Sequence, residues 1–226
     1  MCMMIYHPAA AQPFTREEFD DFNVKNPHGF GAMWRTPKGN INGRKGLLPV
    51  GEQWQLYRTL LARGITTMAL HWRFATAGRV DVDNCHPIAV RGDVLMMHNG
   101  ACIGPARDGK SDSVCFGEDV LAPKLPTTAR GLRAKQHVHE LTARIGKGNR
   151  LVLWHGEATT PVIIGEERGV WHRGRWYSND YAWDVDRFGP RKLRQPKVNQ
   201  RTMRYYSKLG WTPIDEKDWF LPGWDN

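Results

Sequence analysis

The sequence has no apolar run of transmembrane length, and its start lacks the charged and apolar regions of a secretory signal. Only four of its 226 residues are cysteine, and none of them form a CxxC pair. This scarcity argues against a disulfide framework and against a zinc site, which needs clustered Cys and His ligands. We therefore predict a cytoplasmic protein with free thiols, no metal and no cofactor.

Acidic residues are absent from one basic stretch near the end of the chain. The formal net charge is +9, and eight of these positive charges lie in Arg187–Lys208. Lys and Arg interleaved with aromatic residues can bind nucleic acid through phosphate contacts and base stacking. A solvated tail or contact with an acidic partner explains the same pattern. We predict a domain over residues 2–186 and a basic extension, residues 187–226, that packs on it.

Local patterns predict a mixture of helices and strands. Thr15-Arg16-Glu17-Glu18 has the form of a capping box, which indicates the start of a helix. From apolar spacing, the expected helices lie at 15–22, 52–63, 112–120 and 128–145. The expected strands include 66–74, 88–90 and 94–97, and a polar loop is expected at 39–46.

Cys2 directly follows Met1 and is a candidate nucleophile. Removal of Met1 would leave a thiol and a free α-amine on the same residue. Because an α-amine has an ordinary pKa of about 7.7–8.0, it can take the thiol proton directly or through water. No separate catalytic histidine is then required. A Met-Cys start is a weak signal alone, so this hypothesis depends on residues downstream.

Polar residues of complementary chemistry lie near the ends of predicted strands. Arg73 can hold a carboxylate through paired N–H donors. Asn99 followed by Gly100 offers a side-chain amide and an unobstructed backbone N–H, which are two donors for an oxyanion. Asp112 can hold an ammonium group. These residues predict a site that binds an amino acid and transfers its acyl group.

Taken together, the motifs resemble a class II glutamine amidotransferase domain of the N-terminal-nucleophile hydrolase superfamily. The matching segments are Cys2, Asn26–Gly31, His71–Gly78, Asn84-x-His86-Pro87, His98–Gly100 and Ser111–Asp112. The resemblance implies an α+β fold, namely a four-layer αββα sandwich. It also implies hydrolysis of the side-chain amide of glutamine, with ammonia passing to a separate synthase.

The resemblance also assigns roles to individual residues. Cys2 would be the nucleophile, its α-amine the base, and Asn99 and Gly100 the oxyanion hole. The substrate-binding residues would be Arg73, Thr76 and His86 at the α-carboxylate and Asp112 at the α-ammonium. Three positions depart from many family members, which have Gly, Trp and His where this chain has Met3, Phe74 and Ala77.

Two other functions remain open at this point. The enzyme could hydrolyse γ-glutamyl amides of another small molecule instead of free glutamine. Alternatively, the site could be vestigial, and Arg187–Lys208 would bind nucleic acid or a protein partner.

The sequence also contains a segment that matches the pattern of a nucleotide-binding motif. Gly104–Ser111 fits the pattern GxxxxGKS. However, it follows a turn instead of a long strand, Pro105 lacks a backbone N–H, and Asp108 would repel phosphate. The sequence therefore disfavours a phosphate-binding loop.

Overall fold

The computed structural model describes residues 2–100 and 103–179, which contain ten strands and five α-helices. The strands are β1 (Met3–His7), β2 (Phe30–Arg35), β3 (Ile41–Gly46), β4 (Met68–Trp72), β5 (Ile88–Arg91), β6 (Val94–Asn99), β7 (Arg150–His155), β8 (Val162–Ile164), β9 (Val170–His172) and β10 (Arg175–Tyr177). The helices are α1 (Arg16–Lys25), α2 (Val50–Ala62), α3 (Asp112–Phe116), α4 (Ala129–Leu132) and α5 (Lys135–Ile145). A π-helical turn, Gly117–Leu121, continues α3, and a 3-10 turn covers Glu166–Arg168.

The strands form two antiparallel sheets. The first has the order β3-β2-β4-β1-β10-β9 and the second the order β5-β6-β7-β8. In each sheet the paired neighbours run antiparallel. The predicted α+β class is therefore confirmed.

Alternation along the strands separates the core into three apolar clusters, because successive strand side chains point to opposite faces. In β1, Met3 and Ile5 pack with the aromatic side chains of α1 and α2. Met4 and Tyr6 instead belong to a cluster that also contains Met97 of the second sheet. A third cluster joins the other face of the second sheet to helices α3, α4 and α5. Both sheets are thus buried on their central strands.

The pairing of β1 with β4 places the candidate nucleophile beside the candidate carboxylate ligand. Met3 lies opposite Trp72 in the antiparallel register. One step further, Cys2 reaches the level of Arg73. Cys2 and Arg73, which are far apart in sequence, therefore become neighbours at the end of two central strands.

Several local predictions are confirmed. Thr15 accepts a hydrogen bond from the backbone N–H of Glu18, whose carboxylate accepts one from the Thr15 N–H, so the capping box is formed. The predicted helix 52–63 corresponds to α2, and the predicted strand 66–74 contains β4. The apolar runs at 88–90 and 94–97 are the paired strands β5 and β6.

Two local predictions are wrong. The segment 39–46 is not a loop, since Ile41–Gly46 forms the edge strand β3 along the whole of β2. An edge strand is largely solvated, so its polar composition concealed it. The predicted helix 128–145 is broken between α4 and α5, where Ala134 has a non-helical ψ of 131° and the guanidinium of Arg133 binds Thr160.

A buried ion pair ties β10 to α1. Arg175 is only 1% exposed, and its guanidinium donates two hydrogen bonds to the carboxylate of Glu18, at 3.3 and 3.0 Å. The same carboxylate caps α1 at Thr15. Glu18 therefore neutralises a buried cation and also begins a helix.

We expect Glu18→Ala to destabilise the fold by about 3–5 kcal/mol, because it leaves the Arg175 charge buried without its partner. Urea unfolding followed by circular dichroism measures the change. Glu17→Ala is the matched control, since Glu17 is exposed on the same helical turn, and should cost less than about 0.5 kcal/mol. Equal costs for the two variants would contradict the proposed role of the pair.

No helix in the described ranges is both long and apolar enough to span a bilayer. The predicted basic extension at 187–226, including Arg187–Lys208, lies outside the described residues. Its predicted roles in packing and nucleic-acid binding stay predictions.

Candidate active site

Cys2 lies half-buried at the start of β1. Its Sγ accepts a hydrogen bond from the backbone N–H of Phe74 at 3.3 Å, and the Phe74 carbonyl lies 3.5 Å from the same sulfur. Burial raises the pKa of the Cys2 thiol above its ordinary 9.0, while the Phe74 hydrogen bond acts in the opposite direction. The thiol is therefore protonated at neutral pH and needs a base before it can act as a nucleophile.

The residue after Cys2 does not crowd the thiol. Met3 is fully buried in the cluster formed with α1 and α2. Its side chain thus fills the core on the helix side of the sheet. Having methionine instead of glycine at this position therefore changes core packing. Met3 is not among the residues that line the cleft beside the sulfur.

Arg73 follows β4 as a buried cation, with 3% of its surface exposed. Its guanidinium donates hydrogen bonds to the carbonyls of Ala77 at 3.0 Å and Arg79 at 2.9 Å. Among the described residues, no carboxylate lies within 4.0 Å of it to form an ion pair. Because an unpaired buried charge costs several kcal/mol, this position favours an anionic ligand.

Asp112, the first residue of α3, is the corresponding buried anion, at 8% exposed. Its carboxylate accepts backbone N–H bonds from Ser113 at 2.9 Å and Ile103 at 3.2 Å. These bonds fix the carboxylate but leave its charge without a cationic partner within 4.0 Å in the part of the chain that the structure describes. This position favours a cationic ligand.

Asn84 holds the two charged residues in a fixed relation. Its Oδ1 accepts the N–H of Ser111 at 2.5 Å, and its Nδ2 donates to the carbonyls of Gly109 at 2.9 Å and Arg79 at 3.2 Å. One side chain therefore joins the loop that binds the Arg73 guanidinium to the segment that begins α3. The sequence motif contained Asn84, but no role had been predicted for it.

His86 lies against the same cleft as a neutral ring. It is buried, its ring centroid lies 4.2 Å from that of His71, and neither of its nitrogens has a partner among the described residues. Burial lowers the pKa of His86 well below 6.5, and the proximity of the His71 ring acts in the same direction. A neutral imidazole with two free nitrogens can donate one hydrogen bond to a ligand and accept another.

Asn99 is the last residue of β6 and Gly100 follows it, but only one of the two lines the cleft. Gly100 lines the cleft, whereas Asn99 is fully buried and is not among the lining residues. The Asn99 Nδ2 donates to the hydroxyl of Ser178 at 2.6 Å, and its Oδ1 has no partner in the described ranges. A Cβ on Gly100 would lie 2.0 Å from Oδ1 of Asn149, so this position requires glycine.

A buried hydrogen-bond chain supports this end of the site. His98 contacts Oδ1 of Asn149 through Nε2 at 2.8 Å and the hydroxyl of Ser113 through Nδ1 at 2.6 Å. Since Nδ2 of Asn149 donates to the carbonyl of Ile145 at 2.7 Å, its Oδ1 is the acceptor and His98 Nε2 carries the proton. His98 is thus a neutral ring that donates at one nitrogen and accepts at the other.

The last two described residues, Ser178 and Asn179, bind the starting strand. Ser178 exchanges hydrogen bonds with Met4, whose N–H donates to its Oγ at 3.0 Å and whose carbonyl accepts its N–H at 2.8 Å. Asn179 donates to the carbonyl of Cys2 at 2.8 Å. The sequence motifs had assigned no role to this dipeptide or to Asn149.

These elements enclose one cleft with an empty volume of about 290 Å³, counting the space open to solvent at its mouth. It is lined by Cys2, Arg73, Phe74, Ala75, Thr76, Ala77, His86, His98, Gly100, Ser111, Asp112 and Ser113. The structure therefore brings six of the seven predicted site residues around a single cleft, and Asn99 lies outside its lining.

In the segment Gly104–Ser111, which matches the nucleotide-binding pattern, the basic side chains form ion pairs with acidic residues of the same chain. The ammonium of Lys110 binds both carboxylate oxygens of Glu118, at 2.8 and 2.7 Å. Arg107 binds the carboxylate of Asp119. In a phosphate-binding loop the lysine would face phosphate, whereas here it is held by an acidic side chain.

Comparison with known proteins gives structural similarities only. No family model and no curated protein matches the chain. A glutamine phosphoribosylpyrophosphate amidotransferase from B. subtilis, complexed with ADP and GMP, is similar over 82% of this chain and 43% of its own, at 14% identity and a TM-score of 0.49. A glutamine aminotransferase class-II domain protein from Silicibacter pomeroyi is similar over 69% of this chain and 73% of its own, at 16% identity and a TM-score of 0.33.

The chain spans less than half of the length of the B. subtilis protein. Both TM-scores are below 0.5, so the assignment of function depends on the geometry of the cleft.

Proposed function

We propose that this protein is a type 2 glutamine amidotransferase domain that hydrolyses the side-chain amide of glutamine. One observation carries the proposal. Buried Arg73 and buried Asp112 face the same cleft as the thiol of Cys2, and neither has a counter-ion among the described residues. An amino acid is a zwitterion with one carboxylate and one ammonium, so its head group neutralises both buried charges at once.

The proposed fold of this domain is the four-layer αββα sandwich of N-terminal-nucleophile hydrolases. Its support is the order of the apolar clusters, in which the first sheet shares one cluster with α1 and α2 and another with the second sheet. The second sheet shares the third cluster with α3, α4 and α5.

The proposed reaction has two steps. Removal of Met1 frees the α-amine of Cys2, which takes the thiol proton as the sulfur attacks the amide carbon. The tetrahedral oxyanion is stabilised by donors at Asn99 and Gly100, and ammonia leaves with the proton to give a thioester. Water then attacks the thioester, which releases glutamate and restores the thiol.

The head group of the substrate is held away from the reacting carbon. Arg73 binds the α-carboxylate, with help from the Thr76 hydroxyl and from the neutral ring of His86, while Asp112 binds the α-ammonium. Because the free guanidinium and carboxylate groups are already fixed by backbone hydrogen bonds, little side-chain freedom is lost on binding.

The test of this function is ammonia release from L-glutamine by the full chain, after mass spectrometry has shown whether Met1 is present. Two analogues probe the clamp: 4-carbamoylbutanoate lacks the ammonium and 4-aminobutanamide lacks the carboxylate. We expect each to be hydrolysed at least about 100-fold less efficiently than glutamine, because one buried charge then stays unpaired. Equal hydrolysis of all three amides would contradict the clamp.

We expect Arg73→Met to lower kcat/KM for glutamine by about 10²–10³-fold, because it removes a charged partner of the α-carboxylate. The measurement is steady-state ammonia release. Arg79→Met is the control, because Arg79 is exposed and contributes only its backbone carbonyl to this site. A loss of activity in the control equal to that of Arg73→Met would show that the effect is not due to the buried cation.

A second candidate substrate class is the γ-glutamyl amide of a larger amine. Phe74 lines the cleft and is 39% exposed, and its ring lies 5.1 Å from that of His28. An exposed aromatic ring beside the nucleophile can pack against an apolar amine substituent. If γ-glutamyl anilide has a higher kcat/KM than glutamine, and Phe74→Ala removes that difference, this class is the better assignment.

The ammonia-accepting synthase is proposed as a separate partner. The basic segment Arg187–Lys208 is a candidate surface for nucleic acid or for an acidic protein. Salt-dependent retention of DNA or RNA that is lost on deletion of this segment tests the nucleic-acid alternative.

A further inference from the structure

Ser178 is the hydrogen-bond partner of the Asn99 side chain among the described residues. The two residues are separated by 79 positions, and Asn99 Nδ2 lies 2.6 Å from Ser178 Oγ. Ser178 is itself fully buried and fixed to β1 by two hydrogen bonds with the backbone of Met4, one through its N–H and one through its hydroxyl. Its hydroxyl therefore has a fixed position beside the amide.

The hydrogen-bond count at this contact favours a half-turn of the Asn99 amide. With Nδ2 facing Ser178, Oγ accepts two hydrogen bonds, one from Asn99 and one from the Met4 N–H, and its own proton has no acceptor in the described ranges. The buried Oδ1 of Asn99 also has no donor there. A half-turn lets the Ser178 hydroxyl donate to Oδ1 and satisfies both groups.

The distance supports the same orientation. Typical O–H···O hydrogen bonds span about 2.5–3.0 Å, whereas N–H···O bonds span about 2.7–3.2 Å. The observed separation of 2.6 Å lies inside the first range and below the second. A hydroxyl that donates to the amide oxygen therefore fits the geometry better than an amide N–H that donates to the hydroxyl.

The half-turn changes what the amide offers to the site. The NH₂ group then occupies the buried position of Oδ1, which has no protein partner among the described residues, and presents two N–H donors there. A carbonyl oxygen in that position would repel an oxyanion, whereas an NH₂ group stabilises it.

We propose that Ser178 is a positioning residue that orients the Asn99 amide so that its NH₂ group donates to the oxyanion. This inference rests on the proposed amide hydrolysis. The adjacent Asn179 binds the carbonyl of Cys2 at 2.8 Å, so one dipeptide fixes both the nucleophile and the oxyanion donor.

The test compares two reactions of Cys2 in the full chain. Hydrolysis of L-glutamine passes through an oxyanion, whereas alkylation by iodoacetamide displaces iodide at a saturated carbon and forms none. We expect Ser178→Ala to lower kcat on the order of 10- to 100-fold, less than the loss of the donor itself. KM and the alkylation rate should change by no more than about twofold.

Two further variants separate positioning from packing. Ser178→Thr retains the hydroxyl and should keep most of the activity. The double variant Ser178→Ala with Asn99→Ala should be no slower than Asn99→Ala alone, because the two residues act through one hydrogen bond. The proposal is overturned if kcat is unchanged in Ser178→Ala, or if kcat and alkylation fall together.

A measurement that does not need activity separates this proposal from the proposed function. If the wild-type chain releases no ammonia from glutamine, the amidotransferase assignment fails, and NMR still determines the amide orientation. In the proposed orientation the Asn99 NH₂ protons point away from Ser178 and give no strong nuclear Overhauser effect to the Ser178 β-protons. A strong effect between them would overturn the positioning role, and its absence would support it.

Discussion

Replacing Cys2 with alanine is expected to abolish ammonia release from glutamine while the chain stays folded. In the proposed mechanism the thiol is the nucleophile, and it lines the same cleft as Arg73 and Asp112. Its side chain is half-buried, and its contacts are with the backbone of Phe74. Loss of one sulfur therefore removes the covalent step at little cost in packing. Ammonia release and urea unfolding measure the two effects.

The control for Cys2→Ala is Cys115→Ala, a buried cysteine of α3 outside the cleft lining. It should retain activity close to that of the wild type. A Cys2→Ala protein with undiminished ammonia release would remove the basis of the amidotransferase assignment.

A form of the chain that retains Met1 tests the role of the α-amine. Burial keeps the pKa of the Cys2 thiol above 9.0, so without a nearby base little thiolate is present at neutral pH. A form that retains Met1 should therefore hydrolyse no glutamine at pH 7. Its alkylation by iodoacetamide should become faster as the pH rises toward the pKa of the thiol. Mass spectrometry assigns each preparation to the form with or without Met1.

Replacing Asn99 with alanine is expected to lower kcat by about 10²–10³-fold, which is the usual effect of losing one oxyanion donor. KM should change little, because the proposed head-group ligands Arg73 and Asp112 line the cleft, whereas Asn99 lies outside its lining. Asn99 contacts Ser178 and has an unpartnered Oδ1, so among the described residues the substitution removes a single side-chain hydrogen bond. Steady-state kinetics with glutamine measures both constants.

The matched variant is Asn99→Asp, which keeps the size of the side chain but has no N–H donor. It should lose as much activity as Asn99→Ala, since a carboxylate cannot stabilise an oxyanion. If Asn99→Asp retained activity within about twofold of the wild type, Asn99 would not be the donor.

Local sequence patterns predicted much of the secondary structure. The capping box at Thr15, the helix α2 and the paired strands β5 and β6 are formed as expected. These features depend on hydrogen bonds and apolar spacing within a few residues. The edge strand β3 was missed because its sequence is polar along a solvated edge, where composition resembles that of a loop.

Contacts between distant residues explain what the sequence could not predict. At the break between α4 and α5 Arg133 contacts Thr160, 27 positions away, and the buried Asn149 binds His98 across 51 positions. No local period encodes either pairing, because each depends on how separate elements pack. In the same way, the positioning residue Ser178, which follows β10, contacts Asn99 at the end of β6.

The sequence by itself determined the chemistry available to this protein: a cysteine at position 2, a cation at Arg73, an amide at Asn99 and an anion at Asp112. The tertiary structure decided that these groups meet at one end of two sheets. It also decided that Arg73 and Asp112 are buried without counter-ions in the described residues. The physical reason is that a residue type fixes what a side chain can donate, accept or neutralise, whereas burial and partners arise only from strand register and packing.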